Sequence, residues 1–185
     1  AEMFSDDVHE CGEKALLHAV QAANSKILCA AAASEARKGM GTTVVALQYR
    51  ENAAYWAHVG DSRLYLLRKG LLRRLTRDHS FVQDLVERGS ITEEEARNHP
   101  KKNLLTRAVG VAENLIVDTG TSTIKAGDIF LLCSDGLTNM VGETAICETL
   151  QGESADKART LVELALLAGG LDNITAIVVE CDERG

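Results

Sequence analysis

Two hairpin signatures follow one another in this chain and limit its architecture more than any other feature. Thr42 to Tyr49 is a β-branched run, a turn follows at Glu51-Asn52, and Ala54 to Val59 is a second strand-like run. After Gly60-Asp61, the runs Leu64 to Leu67 and Leu71 to Thr76 flank the turn Arg68-Lys69-Gly70. Strands joined by such short turns pair antiparallel, because a parallel crossover needs a dozen or more residues. Further strand-like runs lie at Leu115 to Asp118, Ser122 to Ile124, Ile129 to Cys133 and Ile174 to Glu180, with a turn at Ala126-Gly127-Asp128. Helical spacing is confined to other stretches. Glu10 to Ser34 carries Ala15, Leu16, Ala19, Val20, Ala23, Ile27 and Ala30 on one face. Ser80 to Arg97 carries the stripe Phe81, Leu85 and Val86, with a second short helix opening at Thr92 as N-cap. Glu143 to Leu150 and Ser154 to Ala168 are the last helices, the second capped by Gly169-Gly170. Hairpins with grouped helices, rather than strict alternation, predict an α+β fold built on antiparallel sheets.

Composition sets the functional bounds. With 45% hydrophobic and 25% charged residues among 185, the chain can bury a core as one domain, 1–185, and is not disordered. Lys plus Arg total 20 against 27 Asp plus Glu, a net charge of −7. That balance repels phosphate backbones and anionic lipid, so we expect neither nucleic acid nor a membrane surface as partner. The alanine-rich apolar run Ile27 to Ser34 is far too short to span a bilayer. No charged segment followed by an apolar run opens the sequence, so no secretory signal is expected. Cys11, Cys29, Cys133, Cys147 and Cys181 are an odd set with no C-x-x-C pair, which reads as buried thiols of a reducing, cytoplasmic compartment.

Three aspartates share a local grammar. Asp61 in Gly60-Asp61-Ser62, Asp135 in Cys133-Ser134-Asp135-Gly136 and Asp172 in Gly170-Leu171-Asp172-Asn173 each follow a strand-like run or a helix end, beside a glycine or asparagine. Carboxylates at strand ends can converge on a hard divalent cation, which takes oxygen ligands and keeps waters. Each is equally what a turn or a helix cap supplies. Gly60-Asp61-Ser62 also invites a serine-esterase reading, but all five histidines precede residue 100, in the wrong order for a late base histidine. No G-x-x-x-x-G-K-[ST] loop is present, and Cys133 is followed by Ser-Asp-Gly rather than by a phosphate cradle with an arginine.

Taken in order, the blocks resemble one family. Gly39-Met40-Gly41-Thr42-Thr43, Ala57-His58-Val59-Gly60-Asp61-Ser62-Arg63 and Thr76-Arg77-Asp78-His79-Ser80 come first. His99-Pro100-Lys101-Lys102-Asn103-Leu104-Leu105-Thr106-Arg107 is next, then Gly127 to Thr138 around Ser134-Asp135-Gly136, then Gly170-Leu171-Asp172-Asn173-Ile174-Thr175. Their order and spacing are similar to those of the metal-dependent serine/threonine protein phosphatases, the PPM or PP2C-type family, in its bacterial branch. The resemblance implies a four-layer α-β-β-α sandwich with two antiparallel sheets. It implies two Mn2+ or Mg2+ ions, with a third in bacterial members, and hydrolysis of phosphoserine and phosphothreonine on proteins by a metal-activated water. Asp135 and Asp172 would then be metal ligands, and Asp61 with Asp135 would hold the third ion. Asn173, Ser134 and Thr43 would support them, and residues 79–103, with His79 and His99, would form a substrate-selecting flap. Phosphorylated proteins would be the substrates and a bacterial-type serine/threonine kinase the opposing enzyme.

One departure accompanies the match. The family opens with strands carrying a phosphate-binding arginine, an acidic ligand and an Asp-Gly-x-Gly-Gly block, whereas Ala1 to Lys38 contains no Asp-Gly. The sequence therefore reads as N-terminally incomplete against that pattern, and no catalytic acid is assigned on it. Sheets lacking those strands would have open edges. The alternative reading is a non-catalytic phosphatase-like module that acts by binding proteins.

Overall fold

The computed structural model describes residues 12–182. Contacts divide them into two units, one of residues 12–60 and 79–123, the other of 61–78 and 124–182.

The first unit is built on a three-stranded antiparallel sheet in the order β1-β2-β5, with β1 Val44–Arg50, β2 Ala53–Val59 and β5 Asp118–Thr123. β1 and β2 form the first expected hairpin, Arg50 opposite Ala53 and Val44 opposite Val59. Helix α1, Glu13–Ala32, lays Leu16, Val20, Ala23 and Ile27 against Ala57, Val59 and Val109. The helical stripe thus does what its spacing requires, except at Asn24. That side chain is only 2% exposed, one turn beyond Val20. Its Nδ2 donates to the Ala112 carbonyl at 2.8 Å, and its Oδ1 accepts from the Gly110 amide at 2.6 Å. A polar residue thereby fastens the helix to a loop more than eighty residues on, satisfying two backbone groups that burial would otherwise orphan.

β5 corrects the sequence reading. Leu115 to Asp118 and Ser122 to Ile124 read as separate runs, yet one strand crosses the gap and Leu115 and Val117 join the α1 cluster from irregular chain. The residue that hid it is Gly120. It pairs opposite Trp56, where any Cβ would overlap the indole, so a glycine that looks like a break is what admits the large ring. A 3-10 turn at Glu35–Arg37 and two short α-helices also belong to this unit. In α2, Phe81–Glu87, the buried residue is Val82 rather than a member of the Phe81, Leu85, Val86 stripe. In α3, Glu93–Arg97, Thr92 caps as expected, with Glu95 closing a reciprocal capping box.

The second unit carries a four-stranded antiparallel sheet, β4-β3-β6-β7, with β3 Arg63–Arg68, β4 Leu71–Arg74, β6 Asp128–Cys133 and β7 Ala176–Cys181. The β3–β4 turn places Lys69 and Gly70 at φ 51° and 78°, the left-handed pair that matches the twist of a tight hairpin. Helices α4 Asp135–Thr138, α5 Glu143–Gln151 and α6 Lys157–Leu167 supply Leu137, Ile146, Leu150 and Leu161 to a core with Tyr65 and Leu131 of the sheet. The expected glycine cap of α6 is present, Gly170 N–H returning to the Ala165 carbonyl at 3.1 Å. Strand register brings three chain connections to one end of this sheet. Arg63 pairs with Cys133, and Cys133 with Ala176, so the entry to β3, the exit of β6 and the entry to β7 lie in one row there.

The cysteine reading needs revision. Cys133 is buried, but Cys29 is exposed and Cys147 and Cys181 are half-buried, while Cys11 lies outside the described residues. All four described cysteines are free thiols.

Asn24→Ala should destabilise the protein by about 2–3 kcal/mol, because a buried amide and carbonyl lose their partners. Urea unfolding measures it, and a loss within error of zero would mean that the loop does not depend on this side chain.

Candidate metal centre

The row shared by β3, β6 and β7 gathers the three expected aspartates at one end of the second unit's sheet. Asp61 lies two residues before β3, Asp135 two residues after β6, and Asp172 four residues before β7. Charge links them in series. Burial pushes the Asp61 carboxyl up to about 6, and the neighbouring charges of Asp135 and Asp78 add to it. Burial also raises Asp135, and the charge of Asp172 raises it further. Asp135 is therefore the middle member, repelled from one side and itself repelling on the other.

Arg63, immediately beyond Ser62, offsets this set only in part: its charge lowers Asp61, but burial and the neighbouring carboxylates outweigh it. Its guanidinium is committed to Asp78, with Nε 3.0 Å from Oδ1 and Nη2 2.6 Å from Oδ2, and its Nη1 donates to the Tyr65 hydroxyl at 3.2 Å. The Tyr65 hydroxyl in turn donates to Glu143 at 3.1 Å. What steadies Asp135 is hydrogen bonding: its own amide and that of Gly136 favour its ionised form, as does Asn139, whose Nδ2 donates at 3.2 Å. Asp172 is exposed and accepts from the Asn173 amide at 2.7 Å. Three hard oxygen donors are the ligand type that a divalent cation such as Mn2+ or Mg2+ takes, and burial with neighbouring charge raises the proton affinity of two of them.

The supporting residues divide. Ser134 and Asn173 belong to the same unit as the aspartates and meet through the Ser134 hydroxyl and the Asn173 carbonyl at 3.2 Å. Thr43 belongs to the first unit and packs on Gly60, where a Cβ would overlap it. His79 and His99 are also in the first unit. His99 is half-buried, tilted against the Phe81 ring with centroids 6.0 Å apart, and its Nδ1 accepts from the Lys101 amide.

His79 heads the segment read as a flap, yet it is buried, in an interaction the sequence reading missed. Its Nδ1 accepts from the Gly60 amide at 3.2 Å and its Nε2 lies 3.0 Å from Asp118. Arg107 reaches the other oxygen of Asp118 at 2.7 Å. With burial opposing, the hydrogen bonds from His79 and Arg107 hold Asp118 below the usual carboxylate range. His58, His79 and Asp118 bring potential ligand atoms within 4.8 Å of one another. Chemistry excludes a metal there: an Nδ1 that accepts from an amide leaves the ring proton on Nε2, facing Asp118, and Arg107 already meets that carboxylate. Nothing local to His79 signals this network, since its partners lie 19 and 39 residues away.

Asp61 gives a pH test. Its folded-state value near 6 exceeds the ordinary 3.8, so the folded state holds the extra proton between those limits and stability falls as pH rises through that window. In metal-free protein, Asp61→Asn should therefore be more stable than the parent at neutral pH, with the difference vanishing below pH 3.8, where both side chains are neutral. Denaturant unfolding in chelator at the two pH values checks this, and equal stability at neutral pH would contradict the raised proton affinity.

Comparison with known proteins places the geometry. The family model described as Protein phosphatase 2C matches residues 3–174. The chain is 45% identical over 152 residues to Protein phosphatase PhpP of Streptococcus pneumoniae serotype 2 (strain D39 / NCTC 7466), covering 81% of this chain and 62% of that protein. It thus spans about three fifths of the length of this curated relative. Among solved structures it is similar to the Mycobacterium tuberculosis serine/threonine phosphatase PstP/Ppp, with TM-score 0.90 and 40% identity over 98% of this chain and 77% of that one. It is also similar to the catalytic domain of PstP in complex with 2 manganese ions, with TM-score 0.85 and 40% identity over 96% and 76% of the two chains.

Proposed function

The chain belongs to the protein phosphatase 2C family, and from that premise we propose that it acts as a metal-dependent serine/threonine phosphatase, hydrolysing phosphoserine and phosphothreonine on proteins. The observation that carries the reading is the convergence of the connections bearing Asp61, Asp135 and Asp172 at one end of the second sheet, where strand register sets the entry to β3, the exit of β6 and the entry to β7 in one row. Divalent cations held there supply an acidified water for attack on phosphorus and neutralise the phosphoryl oxygens. Asp135, between the other two, is the central ligand; its amide and Asn139 contacts fix the carboxylate before any cation arrives. Asp172 completes one ligand pair with it, and Asp61 the other. A cysteine route is disfavoured, since burial pushes the Cys133 thiol up to about 12 and leaves it protonated at neutral pH.

Mn2+ or Mg2+ is the cofactor, two ions and a third involving Asp61, in keeping with the 2 manganese ions of the PstP catalytic domain. The substrates are phosphoproteins made by an opposing serine/threonine kinase, and the setting is the cytoplasm. Among the described residues no helix is long and apolar enough to cross a membrane. Residues 1–185 are read as one phosphatase domain, with 79–103 as its flap.

The test is phosphate release from a phosphothreonine peptide under Mn2+ titration. Asp135→Asn should lower turnover by about 100-fold or more, given that even residues supporting metal ligands contribute 10–100-fold. Asp61→Asn should chiefly raise the Mn2+ concentration required. Turnover unaffected by chelator, or by Asp135→Asn, would remove the reading.

A further inference from the structure

Ser134 breaks a local rule. It is the N-cap of α4, in the extended conformation such residues adopt, and serine there normally turns its hydroxyl onto the helix's first free amides. Here the hydroxyl makes no capping bond. Its donor and acceptor capacity is instead spent on the chain leading into β7: Oγ donates to the Asn173 carbonyl at 3.2 Å and accepts from the Thr175 amide at 3.0 Å. The Ser134 amide adds a third bond, to the Thr175 carbonyl at 3.1 Å. The helix start is served by the next residue, whose carboxylate takes the Asp135 and Gly136 amides.

Gly136 closes the same arrangement from the other side. A Cβ built on it would overlap the Asn173 carbonyl oxygen, the group that the Ser134 hydroxyl holds, and would come within 3.0 Å of the carbonyl carbon. One peptide unit is thus fixed between a hydroxyl and a bare Cα. Asp135 follows Ser134 directly and Asp172 precedes Asn173 directly, so the two pinned residues are the immediate neighbours of two carboxylates that repel one another.

We infer that Ser134 is a positioning residue: with Gly136 it clamps the Asn173–Thr175 segment and so holds Asp135 and Asp172 at ligand spacing for one divalent cation. The inference rests on the metal-dependent reading above and names the part of the fold that makes this ligand pair. The clamp forms before metal arrives, so its bonds offset the like-charge repulsion in the free protein and less rearrangement is left for binding.

The experiment is Mn2+ affinity of the protein by titration calorimetry, with manganese electron paramagnetic resonance as a second readout and hydrogen exchange at the Thr175 amide as the check on the clamp. Ser134→Ala should weaken Mn2+ binding by about 10–100-fold, the range for residues that orient metal ligands. It should also speed Thr175 amide exchange. Ser134→Thr, which keeps a hydroxyl, should retain affinity within about threefold, well short of that range. Gly136→Ala should weaken binding with the hydroxyl intact, by displacing Asn173 from the opposite side. Ser154→Ala, which also removes a hydrogen-bonded hydroxyl, should leave affinity unchanged. Parental Mn2+ affinity in a folded Ser134→Ala protein, or equal losses in the alanine and threonine variants, would overturn the clamp alone. Should Ser134→Ala fail to fold, unchanged affinity in Gly136→Ala would overturn it. A parent protein that binds no Mn2+ would overturn the metal-dependent reading and the clamp with it.

Discussion

Asp135 stands between two other carboxylates at the mouth of an apolar strand, and much of the second unit is arranged to keep it there. Ile129 to Cys133 lead into it along a strand bounded on both sides by antiparallel neighbours, so its backbone has no freedom to retreat. Beyond it, Leu137 and Val141 are buried in the helix core, which anchors the chain immediately after the charge. Burial and repulsion both oppose ionisation at this point. A folded chain that tolerates such a charge has spent stability on it, which a bound cation would return on the metal-dependent reading proposed above.

The register of the sheet explains why the repulsion is shared by residues so distant in sequence. Arg63, Cys133 and Ala176 occupy one cross-strand row, and the short connections at that end carry Asp61, Asp135 and Asp172. A slip of one residue in either pairing would move Arg63, Cys133 or Ala176 out of that row, and with it the connection that carries an aspartate. Which carboxylates are brought together is a consequence of strand register before it is a property of any side chain.

How much of this is legible in the sequence depends on whether the deciding partner is near or far along the chain. Both hairpins are legible because turn chemistry is local: Lys69-Gly70 can adopt left-handed φ values and most residue pairs cannot. The three aspartates are legible as candidates because each sits at the end of a patterned run, and the family resemblance orders them. β5 is not, because its defining contact is Gly120 against Trp56, more than sixty residues earlier. Asn24 is equally hidden: a polar residue on an apolar helical stripe looks like noise until the Gly110 and Ala112 backbone is placed beside it. Ser134 reads locally as a helix cap, and only the approach of Asn173 and Thr175 diverts its hydroxyl. His79 shows the same principle for protonation, since its tautomer is dictated by an amide 19 residues away.

The described aspartates with resolved shifts fall into two kinds. Asp118 is met by Arg107 and His79, and Asp128 by Arg68 at 2.7 Å together with the Lys125 amide; in both, these bonds prevail over burial and hold the carboxyl below its ordinary range. Asp61 and Asp135 face other carboxylates, and both are raised. Arg63 could have placed Asp61 among the first kind, being two residues away, but Asp78 takes its fork and Tyr65 its remaining edge. Asp78 is thus more than the partner of a buried arginine. It takes up that guanidinium's hydrogen bonds and adds its own negative charge beside Asp61, so it raises the proton affinity of Asp61 and, on the metal-dependent reading proposed above, leaves charge at the strand end for a divalent cation to balance.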